Sequence, residues 1–349
     1  MHKQSLNVFF RRYQEAREPL VLGLVIASSG STYSKPGDCM LIDGHGSYHG
    51  MLSGGCLEGD LALRAAKVVD SGQADRVVYD LAGDDELWGL GVGCEGSIEV
   101  LLLNLDARNG YEPYASMAAV FESRTPATLA VVLESAHLPA GSSRLVAQSP
   151  GDIEVPAPGS GEPGLAGLEG LENAKHGEHI VAADGDTEAI CLRLVPIPRL
   201  LLLGAGPDVI PLVNLARELG WHTTLLDHRP AFIENPALAA ADERLCQPSA
   251  AAAERLQDEH FDAAVVMSHH LESDRNYLNY LARSPIAFVG LLGPVSRRDR
   301  LLAELGPAAA SLEPRLQAPA GLPLGGRGAA SIALSISAGI EAYLARRDA

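Results

Sequence analysis

The sequence predicts an α/β protein in two parts: a mixed α/β N-terminal domain followed by a C-terminal Rossmann-like, doubly wound parallel-sheet domain. Three observations carry that prediction. From Arg199 onward, short apolar runs alternate with helix-length amphipathic segments, as in a parallel sheet covered by helices on both faces. A glycine turn, Gly204-Ala205-Gly206, separates the first of those runs from the helical pattern that follows it. The chain also has 349 residues, more than a single core sustains, which is about 250–300.

In the first part, the spacing of Leu6, Phe9, Phe10 and Tyr13 predicts a helix over residues 5–18, ended by Pro19. Leu20 to Ser28 is an apolar, β-branched run suited to a buried strand. Two further strands, Cys39 to Asp43 and Ser47 to Met51, flank the turn-forming Asp43-Gly44-His45-Gly46 and read as a hairpin. Leu57, Leu61, Ala65 and Val68 mark one face of a helix that Gly72 stops. Strands are expected at Arg76–Leu81, Ser97–Leu105 and Ala127–Glu134, with a helix near Tyr111–Arg124. Residues 148–175 turn rich in Gly, Pro, Ser, Ala and Glu, with too little periodic apolar content to form elements, and read as a flexible loop or linker. A hairpin, His179–Ala183 and Glu188–Val195, then returns to the first domain, so the domains are placed at 1–195 and 196–349.

The second part is expected to run as strand Leu200–Leu203, helix Val209–Leu219, strand Thr223–Leu226, strand Ala263–Met267, helix Ser273–Arg283, strand Ile286–Gly290 and a helix after Pro294. Gly328–Arg346 reads as a last amphipathic helix.

Bulk properties narrow the function. A formal charge of −17 argues against nucleic acid and anionic membrane as partners, because both need a cationic face. No apolar run reaches the 18 or so residues of a membrane span, and the first residues lack a secretory leader's apolar core. The five cysteines, Cys39, Cys56, Cys94, Cys191 and Cys246, are odd in number, scattered and without C-x-x-C spacing. Neither a disulfide framework nor a zinc spacing is signalled, and a cytoplasmic setting is expected.

Two kinds of glycine turn carry the candidate chemistry. In the second part, Gly204 and Gly206 precede a helix, where amides and the helix dipole can receive a phosphate, and Asp227 closes the next strand at the position that meets an adenosine ribose. Val209 replaces the third glycine, and Pro207-Asp208 puts a ring and a negative charge where a pyrophosphate would lie. A nucleotide site and a turn that needs glycine only for its geometry both stay open. An NAD(P)-dependent oxidoreductase would also need a proton donor, for which His228, His269 and His270 are the candidates.

In the first part, Ser53-Gly54-Gly55-Cys56-Leu57-Glu58 runs into a helix, a placement that favours a thiolate at Cys56. Residues 89–96 surround Cys94 with glycines, Gly93 among them. Soft thiolates suit a thiophilic metal and amide clusters suit an anion, so an anionic, sulfur-bearing metal cofactor would satisfy both. The alternative is that both cysteines are small hydrophobes packed at tight turns.

On these motifs, the chain resembles the XdhC/CoxI-type accessory proteins that mature xanthine dehydrogenase and related molybdenum hydroxylases. The resemblance rests on Gly30-Ser31-Thr32-Tyr33, Pro36-Gly37, Asp43-Gly44, residues 53–58 and Gly91-Val92-Gly93-Cys94-Glu95-Gly96 in the first part. In the second it rests on Gly204-Ala205-Gly206, Leu219-Gly220-Trp221, Asp227-His228-Arg229-Pro230, residues 288–293 and Gly321-Leu322-Pro323-Leu324-Gly325. It implies a chaperone that binds the molybdenum cofactor (molybdopterin), protects it during sulfuration and delivers it to a xanthine dehydrogenase-type molybdoenzyme, with a cysteine desulfurase as a further partner and a homodimeric state. Carried over by motif, the cofactor-binding candidates are Ser53, Gly54, Gly55, Cys56, Glu58, Gly93 and Cys94, with Cys56 and Cys94 toward the metal. Gly204, Gly206 and Asp227 are the candidates for a nucleotide.

Overall fold

A computed structural model describes residues 3–80, 96–147, 168, 171–183 and 185–348. The chain divides into two compact units, Met1–Pro196 and Ile197–Ala349.

The first unit begins with helix α1 (Lys3–Ala16), followed by strands β1 (Leu20–Gly30), β2 (Cys39–Asp43) and β3 (Tyr48–His49), helix α2 (Glu58–Ser71) and strands β4 (Asp75–Asp80) and β5 (Gly96–Leu105). These strands form an antiparallel sheet in the order β3-β2-β1-β5-β4. β1 lies at its centre and is buried on both faces from Leu20 to Ile26, which is why its sequence is a continuous apolar run rather than an alternating one. Leu61, Ala65 and Val68 of α2 cover the face formed by Val21, Val25, Val77 and Val100. The β2–β3 turn is fixed by Asp43, whose Oδ1 accepts from the His45 and Ser47 amides (2.8 Å each) and whose Oδ2 accepts from the Tyr13 hydroxyl (2.6 Å). One carboxylate thereby sets both the hairpin and the seat of α1.

Helix α3 (Tyr114–Glu122) leads to a second antiparallel sheet of β6 (Ala127–Ser135), β7 (Ser143–Ala147), β8 (Glu178–Val181) and β9 (Thr187–Leu194), in the order β7-β6-β9-β8. β9 pairs along the whole of β6, so the chain crosses the Gly- and Pro-rich segment and rejoins the same unit. Residues 148–167, which hold most of the expected linker, lie outside the described residues. Its far end is anchored: Leu168 and Leu171 are buried against Ala130, Ala189 and Cys191. The His179 side chain of β8 donates from Nε2 to the Ile26 carbonyl (2.8 Å) at the bulge in β1 and sets Nδ1 against Glu188 (2.8 Å), tying the two sheets together.

The second unit contains β10 (Arg199–Leu203), α4 (Ile210–Glu218), β11 (His222–Asp227), α5 (Pro230–Ile233), β12 (Glu243–Cys246), α6 (Ala252–Arg255), β13 (Ala263–Val266), α7 (Leu271–Leu281), β14 (Phe288–Leu291), α8 (Val295–Leu305), α9 (Ala309–Leu312), β15 (Leu316–Gln317) and α10 (Ala329–Asp348). The sheet is parallel throughout, in the order β12-β11-β10-β13-β14-β15. In the unit's own strand count this is 3-2-1-4-5-6, the doubly wound dinucleotide-fold order. Leu200 and Leu202 face α4 and α10, while Leu201 and Leu203 face α7 and α8, so alternate residues of one strand build two cores. Sequence reasoning misses β7, β12 and β15, which are short and lie at sheet edges, where little burial marks them. No helix among the described residues is long and apolar enough to cross a membrane.

The burial of β1 gives a direct check. Leu22 is 0% exposed, and Leu22→Ala is expected to destabilise the protein by about 2–5 kcal/mol. Leu63→Ala, at a side chain 71% exposed on α2, is expected to change stability by less than about 0.5 kcal/mol in the same urea titration.

Candidate functional site

In the first unit the residues 53–58 turn is held from inside by its own acid. Glu58 is 1% exposed at the first position of α2. Its Oε1 accepts from the Leu52 and Ser53 amides (2.8 and 2.9 Å), and its Oε2 accepts from the Ser53 hydroxyl (2.6 Å) and the Leu57 amide (3.2 Å). The Ser53 hydroxyl in turn accepts from Leu57 (2.8 Å), so the side chain that precedes the glycines and the one that follows them close a ring. Burial pushes the Glu58 pKa up, but the donors from Ser53 and Leu52 outweigh it and hold the carboxyl below its usual range.

This closure decides which groups the loop presents. The Leu52, Ser53 and Leu57 amides are spent on Glu58, whereas no described residue accepts from the amides of Gly54, Gly55 or Cys56. Gly54 and Gly55 are exposed, with φ of +75° and +108°, conformations that favour glycine, and a Cβ at either would meet nothing within 4 Å. Cys56 is half-buried and packs against the cluster that contains Leu57 and Leu61. The turn therefore offers three consecutive amides without an acceptor among the described residues, next to a half-buried sulfur-bearing side chain. Gly93 and Cys94 lie outside the described residues, and among the described residues no group of three or more His, Cys, Asp or Glu side chains is arranged to hold a metal ion.

In the second unit Asp227 has a similar inward use. Its carboxylate is 1% exposed and accepts from the Ala205 amide (2.7 Å), from the Arg229 amide (2.9 Å) and from two nitrogens of the Arg229 guanidinium (2.9 and 2.6 Å). Asp227 thus ties the end of β11 to the glycine turn after β10 rather than facing solvent. Burial raises its pKa, but the Arg229 guanidinium and the Ala205 amide outweigh burial, for a net depression. Gly204, at φ +121°, lies so close to β13 that a Cβ would stand 2.6 Å from the Ser268 backbone, so no other residue fits there. Asp208 folds back over Gly206, with Oδ1 2.6 Å from the position a Cβ would take.

The structure brings Asp208 to a partner the linear sequence does not indicate. His269 follows β13, the strand on the other side of the point where strand order reverses, and its Nε2 lies 2.7 Å from Asp208 Oδ2. Two contacts position that loop. His270 caps α7 through the Ser273 amide, and Ser268 bonds Asp274, which Arg297 grips with two nitrogens (2.9 and 2.6 Å). His269 itself sits at φ +59°, a left-handed conformation that costs a non-glycine residue about 1 kcal/mol or more and that its neighbours impose. Asp208 and His269 are each visible in the sequence, but only the rule that ligands meet such sheets at the strand-order reversal could have paired them. Both open onto a cleft of about 960 Å³, whose far wall is the Pro319–Gly326 segment at the start of α10.

Three variants test these carboxylates. Glu58→Ala is expected to destabilise the protein by at least about 2 kcal/mol, since stranded buried donors cost roughly 1–3 kcal/mol each. Because the folded pKa is depressed, this stability is present above the ordinary value of 4.5 and is lost as pH falls through the lower, folded value; Glu58→Gln is expected to remove that part of the acid dependence of unfolding. Asp227→Asn is expected to speed hydrogen exchange at the Ala205 amide by about ten-fold or more, because a bond to a charged acceptor is worth about 1.5–3 kcal/mol.

The comparisons with known proteins match this two-unit architecture. Residues 200–340 match the XdhC Rossmann domain, and residues 13–80 match the XdhC and CoxI family. A protein of Bacillus subtilis (strain 168) described as a probable xanthine dehydrogenase subunit is 31% identical over 329 residues, covering 93% of each chain. A crystal structure described as a xanthine dehydrogenase from Bacillus halodurans is similar with a TM-score of 0.74 at 28% identity, covering 99% of this chain and 97% of that one. With both units matched and a relative aligned over nearly its whole length, the chain belongs to the XdhC and CoxI family.

Proposed function

We propose that this protein is an accessory chaperone of xanthine dehydrogenase maturation that binds the molybdenum cofactor as cargo, shields it during sulfuration and passes it to the apo-hydroxylase in the cytoplasm. Family membership supports the maturation role, and the xanthine dehydrogenase named in both relatives supports a molybdoenzyme of that type as the recipient. The observation that carries the cofactor assignment is the Gly54-Gly55-Cys56 turn, in which amides without an acceptor among the described residues stand beside a half-buried cysteine. Amides of this kind suit the anionic groups of the cofactor, and a thiolate suits its soft, sulfur-bearing metal.

The residues present fit such a cargo. Gly54, Gly55 and Cys56 would hold it through their amides and the Cys56 sulfur, with Ser53 and Glu58 shaping the turn from behind and Gly93 and Cys94 forming the second contact. Bound, the cofactor brings the metal and terminal sulfur that the hydroxylase needs. Two further proposals follow from the cargo role: a cysteine desulfurase as the sulfur donor to the held cofactor, and a homodimer as the working state.

The test is anaerobic incubation of the purified protein with molybdenum cofactor, desalting, and assay of retained metal and pterin. Stoichiometric retention is expected. Cys56→Ala and Cys94→Ala are expected to cut affinity by more than the about 10–100-fold that loss of an outer partner of a metal ligand costs. Retention that neither variant reduces would remove the thiol role.

A further inference from the structure

The cleft of the second unit lies where strand order reverses, the place at which ligands meet sheets of this kind, and its walls are apolar. Leu292, Pro319, Leu322, Leu324 and Ile332 form them, and Leu322 and Leu324 are exposed to an occupant. Two groups of opposite sign are set into these walls.

The negative group is Asp208. His269 Nε2 holds its Oδ2 (2.7 Å), which leaves Oδ1 for a ligand. Two guanidiniums stand near the cleft and answer buried acids instead: Arg229, on the same glycine turn, gives two nitrogens to Asp227, and Arg297, against Gly293, gives two to Asp274. Neither is among the residues that line the cleft.

The positive group is the start of α10. Gly326, Ala329 and Ser331 line the cleft, and no described residue accepts from the amides of Gly325 to Ser331. A 20-residue helix with no acid in its first turn adds its dipole to those amides. α10 packs against the Pro207–Val209 turn, so both groups border one cavity of about 960 Å³. A bare anion at α10 would face the Asp208 carboxylate through low-dielectric surroundings, and a bare cation at Asp208 would face the positive helix end. A molecule that carries both charges satisfies both.

We propose that this cleft binds a zwitterion of the amino-acid type, with its carboxylate on the amides that open α10, its ammonium on Asp208 Oδ1 and its apolar side chain against Leu292, Leu322 and Ile332. Each charged end then makes charge-assisted hydrogen bonds, and an apolar cleft with a few directed polar groups is the usual form of a small-molecule site. A free amino acid and a short peptide with unblocked termini offer the same pair of ends. This assignment does not rest on the cargo reading of the first unit, so Cys56→Ala is expected to leave the binding intact.

The experiment is titration calorimetry of the full-length protein with L-leucine, with the dipeptide leucyl-leucine and with inorganic phosphate. At least one of the two zwitterions is expected to bind saturably while phosphate does not, and the tighter of the two identifies the source of the shared ends. The same probe with its amine acetylated, or with its carboxyl converted to an amide, is expected to bind at least about ten-fold more weakly. Asp208→Asn is expected to cost as much and to erase the preference for the free amine over the acetylated one. Ser331→Asp places an acid where a helix start accepts one, so the fold is kept while the ligand carboxylate is repelled, and binding is expected to fall by at least about ten-fold. Failure of both zwitterions to bind, a blocked probe that binds as tightly as the unblocked one, saturable phosphate binding, or affinity that either variant leaves unchanged would each overturn the proposal.

Discussion

The buried carboxylate of Glu58 is the interaction on which the first unit's candidate site depends. It sits at the start of α2 and draws the Leu52, Ser53 and Leu57 amides inward, leaving the amides of Gly54, Gly55 and Cys56 without an acceptor among the described residues. A helix N-terminus attracts an anion, and here the protein supplies that anion from its own chain. The helix end is therefore already neutralised, and the amides left open by the turn are the three beyond the clamp. The clamp is rigid because its acceptor is charged, buried and satisfied, and because α2 behind it is packed against the central sheet through Leu61, Ala65 and Val68.

The second unit repeats the device at a different scale. Asp227 closes the glycine turn after β10 from below, and Asp208 covers it from above. Both acids lie where a dinucleotide would put ribose and phosphate, so the scaffold keeps the strand order of the fold while its polar groups are turned to internal use. The backbone forces this crowding: Gly204 touches the Ser268 backbone at the reversal point, and His269 is held in a left-handed conformation between Ser268, which bonds Asp274, and His270, which caps α7. Strain concentrated at one loop end, next to an open cleft, marks the part of the unit that is shaped for something other than stability.

Much of this was legible in the sequence because it rests on local signals. The strands β10, β11, β13 and β14 and the helices α4 and α7 follow from apolar period, and the hairpin around Asp43 follows from its turn residues. Other features depend on side-chain direction or on distant pairing, which periodicity does not encode. Glu58 is a ligand candidate through its place in the family's 53–58 motif, and its inward rotation appears only once the Ser53 ring closes. Asp227 reads as a ribose contact for the same reason, until Arg229 and Ala205 are seen to take its oxygens. The Asp208–His269 pair joins residues that follow two different strands, neighbours only because the sheet reverses between them. β12 and β15 escape notice because edge strands this short carry too few buried residues to show a pattern.

The central claim is that cofactor is received at the exposed glycine turn of the first unit, and hydrogen exchange read by mass spectrometry with and without molybdenum cofactor addresses it most directly. Within the first unit, new protection is expected only in peptides spanning residues 53–57 and residues 89–96, with no change at the Ala205 amide. Protection that appears at residues 204–208 while the first-unit turn exchanges as before would contradict it and move the cofactor to the Rossmann cleft.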